Sequence, residues 1–102
     1  MTDTDANAID ETRQKFLYLS ESGEDYDEAL VLSAACVQSP HRWLWINALH
    51  CFGYIARVYG KLDLDVALPL IRKGEVDTDP EAAAAARDTL EDLEIFLPSF
   101  KA

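Results

Sequence analysis

The sequence predicts an all-α protein, and three observations favour that fold class. Apolar residues recur at the three- and four-residue spacing of a helix along most of the 102 residues. Several of these stretches begin at a residue that favours the N-cap and end at a glycine or a proline. No stretch shows the sustained apolar–polar alternation of a half-buried strand. We therefore expect about five helices and no sheet.

The chain is short enough for one domain. Residues 1–8 are predicted as a disordered lead, because they are acidic or small and lack apolar spacing, and residues 9–102 as a single helical domain. A first helix is expected from about Asp10 to Ser20. After an acidic loop, Asp25 suits the N-cap of a second helix, and Glu28 three residues later completes a capping-box pattern.

Ser39-Pro40 predicts the start of a long third helix, because serine favours the N-cap and proline the first helical position. This helix is expected to reach Val58 or Tyr59. Gly60 can then take the left-handed conformation that ends a helix.

Asp63 is predicted to cap a shorter fourth helix that runs to about Lys73. Pro69 lies inside this pattern, so it either kinks the helix or places its start nearer Asp65. Both alternatives keep the segment helical.

Asp79-Pro80 again combines a cap with a proline at the first helical position, and the last helix should run from there to Leu97. This pair follows Ser39-Pro40 by 40 residues, and each pair opens a long helix that is preceded by a shorter one. A period near 40 residues with two helices per unit is typical of HEAT-type stacking, in which antiparallel helix pairs form a short α-solenoid.

The formal net charge is −10, from 19 acidic against 9 basic residues. Binding to nucleic acid or to an anionic membrane surface needs clustered Lys and Arg, so neither partner is expected. A basic protein would be attracted and its encounter accelerated. The alternative is that the charge only keeps the protein in solution.

Cys36 and Cys51 lie among apolar neighbours and are expected to be reduced core residues. The N-terminus lacks the basic and apolar regions of an export signal, and no apolar stretch is long enough to span a bilayer. A cytoplasmic location is the expectation.

Two segments resemble a widespread group of short bacterial HEAT-like proteins. The first is Gly53-Tyr-Ile-Ala-Arg-Val-Tyr-Gly-Lys-Leu-Asp-Leu-Asp65 together with Leu68-Pro69, and the second is Ala86-Arg-Asp-Thr-Leu-Glu-Asp-Leu-Glu-Ile-Phe96. The similarity covers roughly residues 25–97. Tyr54 and Tyr59 depart from the group, in which histidine is usual near these places.

Members of this group resemble immunity proteins of bacterial toxin–immunity pairs, including contact-dependent growth inhibition systems. The resemblance implies that this chain binds a cognate toxin and neutralises it by occluding its functional surface. Such toxins are often nucleases with basic surfaces, which an acidic antagonist would suit. The alternatives are a HEAT-like adaptor or scaffold protein, and an enzyme accessory subunit, neither of which has a toxin partner.

Acidic residues are unevenly placed: residues 29–62 hold none, residues 21–28 hold five and residues 75–94 hold eight. At 100° per residue, the last helix buries one apolar stripe and points Asp88, Glu91, Asp92 and Ile95 away from it. Ile95 ringed by carboxylates is the leading candidate contact, because interfaces often have an apolar centre and a polar rim. The alternative is that Ile95 packs on the tail through Phe100. The predicted stripe contains Ala82, Ala86, Leu90, Leu93 and Leu97.

A second candidate surface is the polar stripe of the long helix, where Trp43 and Tyr54 could anchor a partner. This stripe could equally pack against the first helix, while Trp45 on the opposite side should be core. The acidic loop, through Glu24 and Asp27, is a third candidate for contact with a basic partner. The stripe consists of Trp43, Asn47, His50, Tyr54 and Arg57.

Catalysis is not expected. The sequence contains no nucleophile elbow, no phosphate-binding glycine loop and no His-Glu-x-x-His helix. A metal site is not expected either, because His50 and Cys51 point about 100° apart on one helix and converge poorly on a tetrahedral ion. No cofactor and no small-molecule substrate are predicted.

Overall fold

The computed structural model describes residues 14, 15, 18, 22–98 and 100. Within them the chain forms four helices and no strand, which confirms the all-α class. The predicted disordered lead and most of the predicted helix from Asp10 to Ser20 lie outside the described residues. The four helices are α1 (Tyr26–Cys36), α2 (Arg42–Tyr59), α3 (Leu64–Glu75) and α4 (Pro80–Phe96).

Three helices begin at the predicted aspartate caps. The side chains of Asp25, Asp63 and Asp79 each accept a hydrogen bond from a backbone N–H in the first turn of α1, α3 and α4. These bonds satisfy donors that a helix start otherwise leaves without a partner. Gly60 ends α2 in the left-handed conformation, with φ of 68°. Pro69 lies inside α3, which begins at Leu64, one residue before Asp65.

The predicted start of the long helix at Ser39-Pro40 is wrong. Helix α2 begins at Arg42, and His41 is its N-cap residue without a side-chain cap bond. The Ser39 hydroxyl instead accepts a hydrogen bond from the His41 backbone N–H at 3.1 Å. The His41 N–H lies before the first residue of α2, so Ser39 stabilises the turn that precedes the helix and does not cap it.

The capping box at the start of α1 is half formed. The Glu28 backbone N–H donates to Asp25 as predicted. The Asp25 N–H, however, donates to the Tyr59 hydroxyl at 3.2 Å, and the Glu28 carboxylate lies 3.3 Å from the Lys15 ammonium. Tyr59 at the end of α2 therefore accepts the Asp25 N–H hydrogen bond that a complete capping box would direct to the Glu28 side chain.

The helices form two antiparallel hairpins. Helix α1 packs against α2 with the Tyr26 ring at the start of α1 edge-on to the Tyr59 ring at the end of α2, at 5.6 Å between centroids. Helices α3 and α4 pack together near their connection, where Gly74 approaches Ala86. A Cβ at Gly74 would lie 2.9 Å from the Leu49 side chain, so glycine permits α3 to reach α2 as well.

The two hairpins meet mainly through α2 and α4, which run parallel to each other. At one end Arg42 of α2 forms two hydrogen bonds with the carboxylate of Asp79, the N-cap of α4. Further along, the buried Thr89 hydroxyl lies 2.9 Å from the Leu49 carbonyl oxygen. The order of the helices across the molecule is α1, α2, α4 and α3, with the principal core between α2 and its neighbours.

The core is predominantly apolar, with Ser33 and Thr89 as its buried polar residues among those described. Phe52 is its largest fully buried side chain, and Cys36 and Cys51 are buried free thiols, as predicted. Burial raises the pKa of the Cys36 thiol. The predicted stripe of α4 is buried except for Leu97, which lies beyond the end of the helix and is half-buried. The buried members of that stripe are Ala82, Ala86, Leu90 and Leu93.

Candidate partner-binding face

The exposed sides of α2 and α4 adjoin each other and form one surface, which we call the α2–α4 face. Asp92 of α4 lies against Gly53 of α2, where an added Cβ would come within 2.6 Å of the Asp92 carboxylate. Arg57 and His50 of α2 both lie close enough to act on the same carboxylate. The sequence predicted the two stripes as separate candidates, and the structure brings them together. The face consists of Trp43, His50, Tyr54, Arg57, Asp88, Glu91, Asp92 and Ile95.

Ile95 is the most exposed apolar side chain of this face, with 68% of its surface accessible. Phe100 is buried in the core, yet it does not cover Ile95. The alternative in which Ile95 packs on the tail is therefore wrong. Asp88 and Glu91 are exposed on the same side of α4, two turns and one turn before Ile95 respectively.

Trp43 provides a second exposed apolar group, with 58% of its surface accessible. The Arg42 guanidinium lies over its ring, 4.5 Å from the centroid. Tyr54 is half-buried, packs against the small cluster of Cys36, Leu44, Ala48 and Cys51, and carries the Arg57 guanidinium 5.4 Å above its ring. Trp43 is therefore more open to a partner than Tyr54 is.

Trp45 lies on the opposite side of α2, as predicted, but it is only half-buried. Part of its ring packs against the core and part lines a cleft at the end of the molecule. The prediction that Trp45 is a core residue therefore holds for one side of the indole only.

Asp92 does not project freely from α4 as predicted. Its carboxylate is partly covered, because Gly53 has no side chain and lets α4 approach α2 at this point. Desolvation raises the pKa of Asp92, and the neighbouring Asp88 raises it further, while Arg57 and His50 oppose the shift. The ionised form of Asp92 is therefore less favourable here than in water.

Glu24 and Asp27 are exposed at the start of α1, where the preceding Gly23 lies close to Val58 at the end of α2. The Glu24 carboxylate accepts a hydrogen bond from the Tyr18 hydroxyl at 3.0 Å. Asp27 borders a shallow surface on α1 next to Val31. Both residues therefore remain candidates for a separate acidic contact at the start of α1.

Sequence reasoning missed Arg42, which joins the two hairpins next to the α2–α4 face. Its guanidinium bonds Asp79 and lies 3.3 Å from the Glu81 carboxylate. The bond from Arg42 lowers the pKa of Asp79, and Asp79 in turn raises the pKa of Arg42. In the sequence, Arg42 and Asp79 are simply a basic residue and a cap residue 37 positions apart. That separation predicts a contact only once α2 and α4 are known to run parallel.

In the described part of the chain, no three His, Cys, Asp or Glu side chains are placed to hold a metal ion together. Nor does any of the four described helices combine the length and apolar character that crossing a membrane requires. Comparison with protein-family models, curated proteins and solved structures finds no match to this chain.

Proposed function

We propose that this chain is an immunity protein that acts in the cytoplasm by binding a basic toxin domain and occluding its functional surface. The observation that carries the proposal is Ile95, an apolar side chain 68% exposed and bordered by carboxylates on the α2–α4 face. Binding sites commonly combine such an exposed apolar centre with a polar rim. The chain has no catalytic role in this proposal, because binding alone neutralises the toxin.

In the same proposal the two hairpins are two HEAT-like repeats. The parallel course of α2 and α4, the 40-residue separation between Leu49 and Thr89 in contact, and the sequence resemblance support this assignment. Stacked helix pairs present an extended surface on the helices that line up from one repeat to the next. Here these helices are α2 and α4, which carry the candidate face.

The chemistry of the face suits a cationic side chain next to an apolar one. Asp88 and Asp92 repel each other, and Asp92 is partly desolvated, so a lysine or arginine of the partner would relieve an unfavourable charge. Ile95 and Trp43 add exposed apolar area to the same face. Aromatic residues and arginine, both present on the α2 side, are enriched in protein interfaces.

Co-expression tests the proposal directly. The full chain is expressed in cells together with the protein encoded immediately upstream of its gene, since immunity genes normally follow their toxin genes. We expect the upstream protein alone to arrest growth and the pair to grow and to form an isolable complex. If the upstream protein is harmless or the pair neither binds nor protects, an adaptor or accessory role replaces the immunity role.

Neutralising the acids of the face should slow the association with a basic partner. We expect Asp88→Asn, Glu91→Gln and Asp92→Asn together to lower the association rate about tenfold or more at low salt, because exposed charges act mainly on encounter. Stability should change by less than about 1 kcal/mol at Asp88 and Glu91, which are exposed charges. It should not fall at Asp92, because the ionised form of that residue is already disfavoured in the folded chain. Stopped-flow association at two ionic strengths measures the effect.

The matched control neutralises the acids at the start of α1, through Glu24→Gln and Asp27→Asn. This control removes two negative charges from the start of α1 and leaves the acids of α4 unchanged. If it slows association more than the triple variant does, the toxin is steered to α1 and the assignment of the face is wrong.

A further inference from the structure

A second candidate site lies away from the α2–α4 face, in a cleft of about 200 Å³ at the end of the molecule where both hairpins turn. Trp45 and Leu49 of α2 form one wall, and Leu70 of α3 faces them. Val37 and Ser39 line the cleft from the α1–α2 connection, Lys73 from the last turn of α3 and Asp77 from the α3–α4 connection. Because positions 43 and 45 point about 200° apart on α2, a ligand here would not touch the face that carries Trp43.

The volume of the cleft limits what it can hold. It exceeds the roughly 150 Å³ of a cavity that accommodates benzene. It is smaller than the roughly 300–1,000 Å³ of pockets that bind drug-sized ligands. The occupant is therefore a single ring or a branched aliphatic group with a short polar part.

The polar groups around the cleft define that polar part. Gln38 already donates to the Ala34 carbonyl oxygen, and one Asp77 oxygen accepts the Asp79 backbone N–H at 2.8 Å. Lys73 makes no hydrogen bond or ion pair with the described residues, so its ammonium can bind an anion. The second Asp77 oxygen can accept from a cation. One positive and one negative group four residues apart match a ligand that carries both charges.

We infer that this cleft binds a free zwitterionic α-amino acid with a large apolar side chain. The side chain lies between Trp45 and Leu70, the carboxylate meets Lys73, and the ammonium group meets Asp77. The Ser39 oxygen already accepts a hydrogen bond from the His41 backbone N–H. Its hydroxyl hydrogen can therefore be donated to the ligand. This inference does not rest on the proposed immunity function, since no residue of the α2–α4 face takes part.

The test uses L-phenylalanine with two analogues that keep its ring and lose one charge each. Phenethylamine lacks the carboxylate, and 3-phenylpropionate lacks the ammonium group. Each is titrated into the full-length ¹⁵N-labelled chain while the two indole N–H signals are followed by NMR. The Trp45 signal reports on the cleft, and Trp43 is an internal control for unspecific contact.

We expect L-phenylalanine to shift the Trp45 signal saturably, with a dissociation constant on the order of 1 mM, as suits a ligand of this size. Each analogue should bind about two- to fivefold more weakly, since each contact is a solvated ion pair. In the Lys73→Gln variant, L-phenylalanine should bind no more tightly than phenethylamine. In the Asp77→Asn variant, it should bind no more tightly than 3-phenylpropionate. Lys61→Gln, at the far end of α2, should change nothing.

Three results would overturn the inference. The first is a Trp45 signal that does not saturate up to the solubility limit of L-phenylalanine. The second is an equal shift of both indole signals, which would mean unspecific contact with aromatic surface. The third is equal affinity for all three compounds, or an unchanged preference in Lys73→Gln and Asp77→Asn.

Discussion

The variant Ile95→Asp should lose most of its capacity to bind the toxin and protect the cell, while the free protein keeps its fold. A side chain at the desolvated centre of an interface typically contributes about 2 kcal/mol or more, so the dissociation constant should rise roughly 30-fold or more. Ile95 is 68% exposed in the free chain, so little packing is lost there. A carboxylate in the last turn of α4 costs only about 0.3–1 kcal/mol through the helix dipole.

Val31→Asp is the matched control, because Val31 is also 68% exposed but lies on α1, away from the α2–α4 face. Titration calorimetry with the purified toxin and thermal melting of the free variants separate binding from folding. If Ile95→Asp binds like the unchanged chain, or if Val31→Asp loses as much affinity, Ile95 is not the centre of the contact.

The largest effect on stability is expected for Phe52→Ala. Phe52 of α2 is fully buried in the main core, to which both hairpins contribute. Removing a buried phenyl group costs about 3–5 kcal/mol through lost transfer energy and the cavity left behind. For a chain of this length that corresponds to a fall in melting temperature of roughly 15 °C or more.

Urea denaturation followed by circular dichroism measures this change. Val58→Ala on the same helix is the control, because Val58 is 36% exposed and its truncation should cost less than about 1 kcal/mol. A Phe52→Ala variant that is as stable as this control would contradict the position of Phe52 at the centre of the core.

Much of the fold could be predicted because its signals are local. Asp25, Asp63 and Asp79 each cap a helix through a backbone N–H two or three residues ahead, so the sequence next to them contains the whole interaction. Gly60 likewise ends α2 by its own conformation. Ser39-Pro40 carried a similar signal, but a serine can serve a turn or a helix, and the local sequence does not decide between them.

The candidate site was only partly predictable, because it depends on how helices pair. Helical periodicity correctly left Ile95 exposed on α4. It could not show that Asp92 is covered, since that depends on Gly53, 39 positions earlier in the chain, lying opposite on a parallel helix. The bond from Arg42 to Asp79 escaped prediction for the same reason.

The order α1, α2, α4, α3 has a consequence for which part of the chain opens most readily. Among the four described helices, α1 packs mainly on α2, whereas α2 and α4 each have a neighbour on two sides. The buried Ser33 hydroxyl of α1 also has no hydrogen-bond partner among the described residues. An unsatisfied buried hydroxyl lowers the stability of the contact between α1 and α2 further. Amide hydrogens of α1 should therefore exchange with solvent through a partial opening, while those of α2 and α4 exchange only when the whole molecule unfolds.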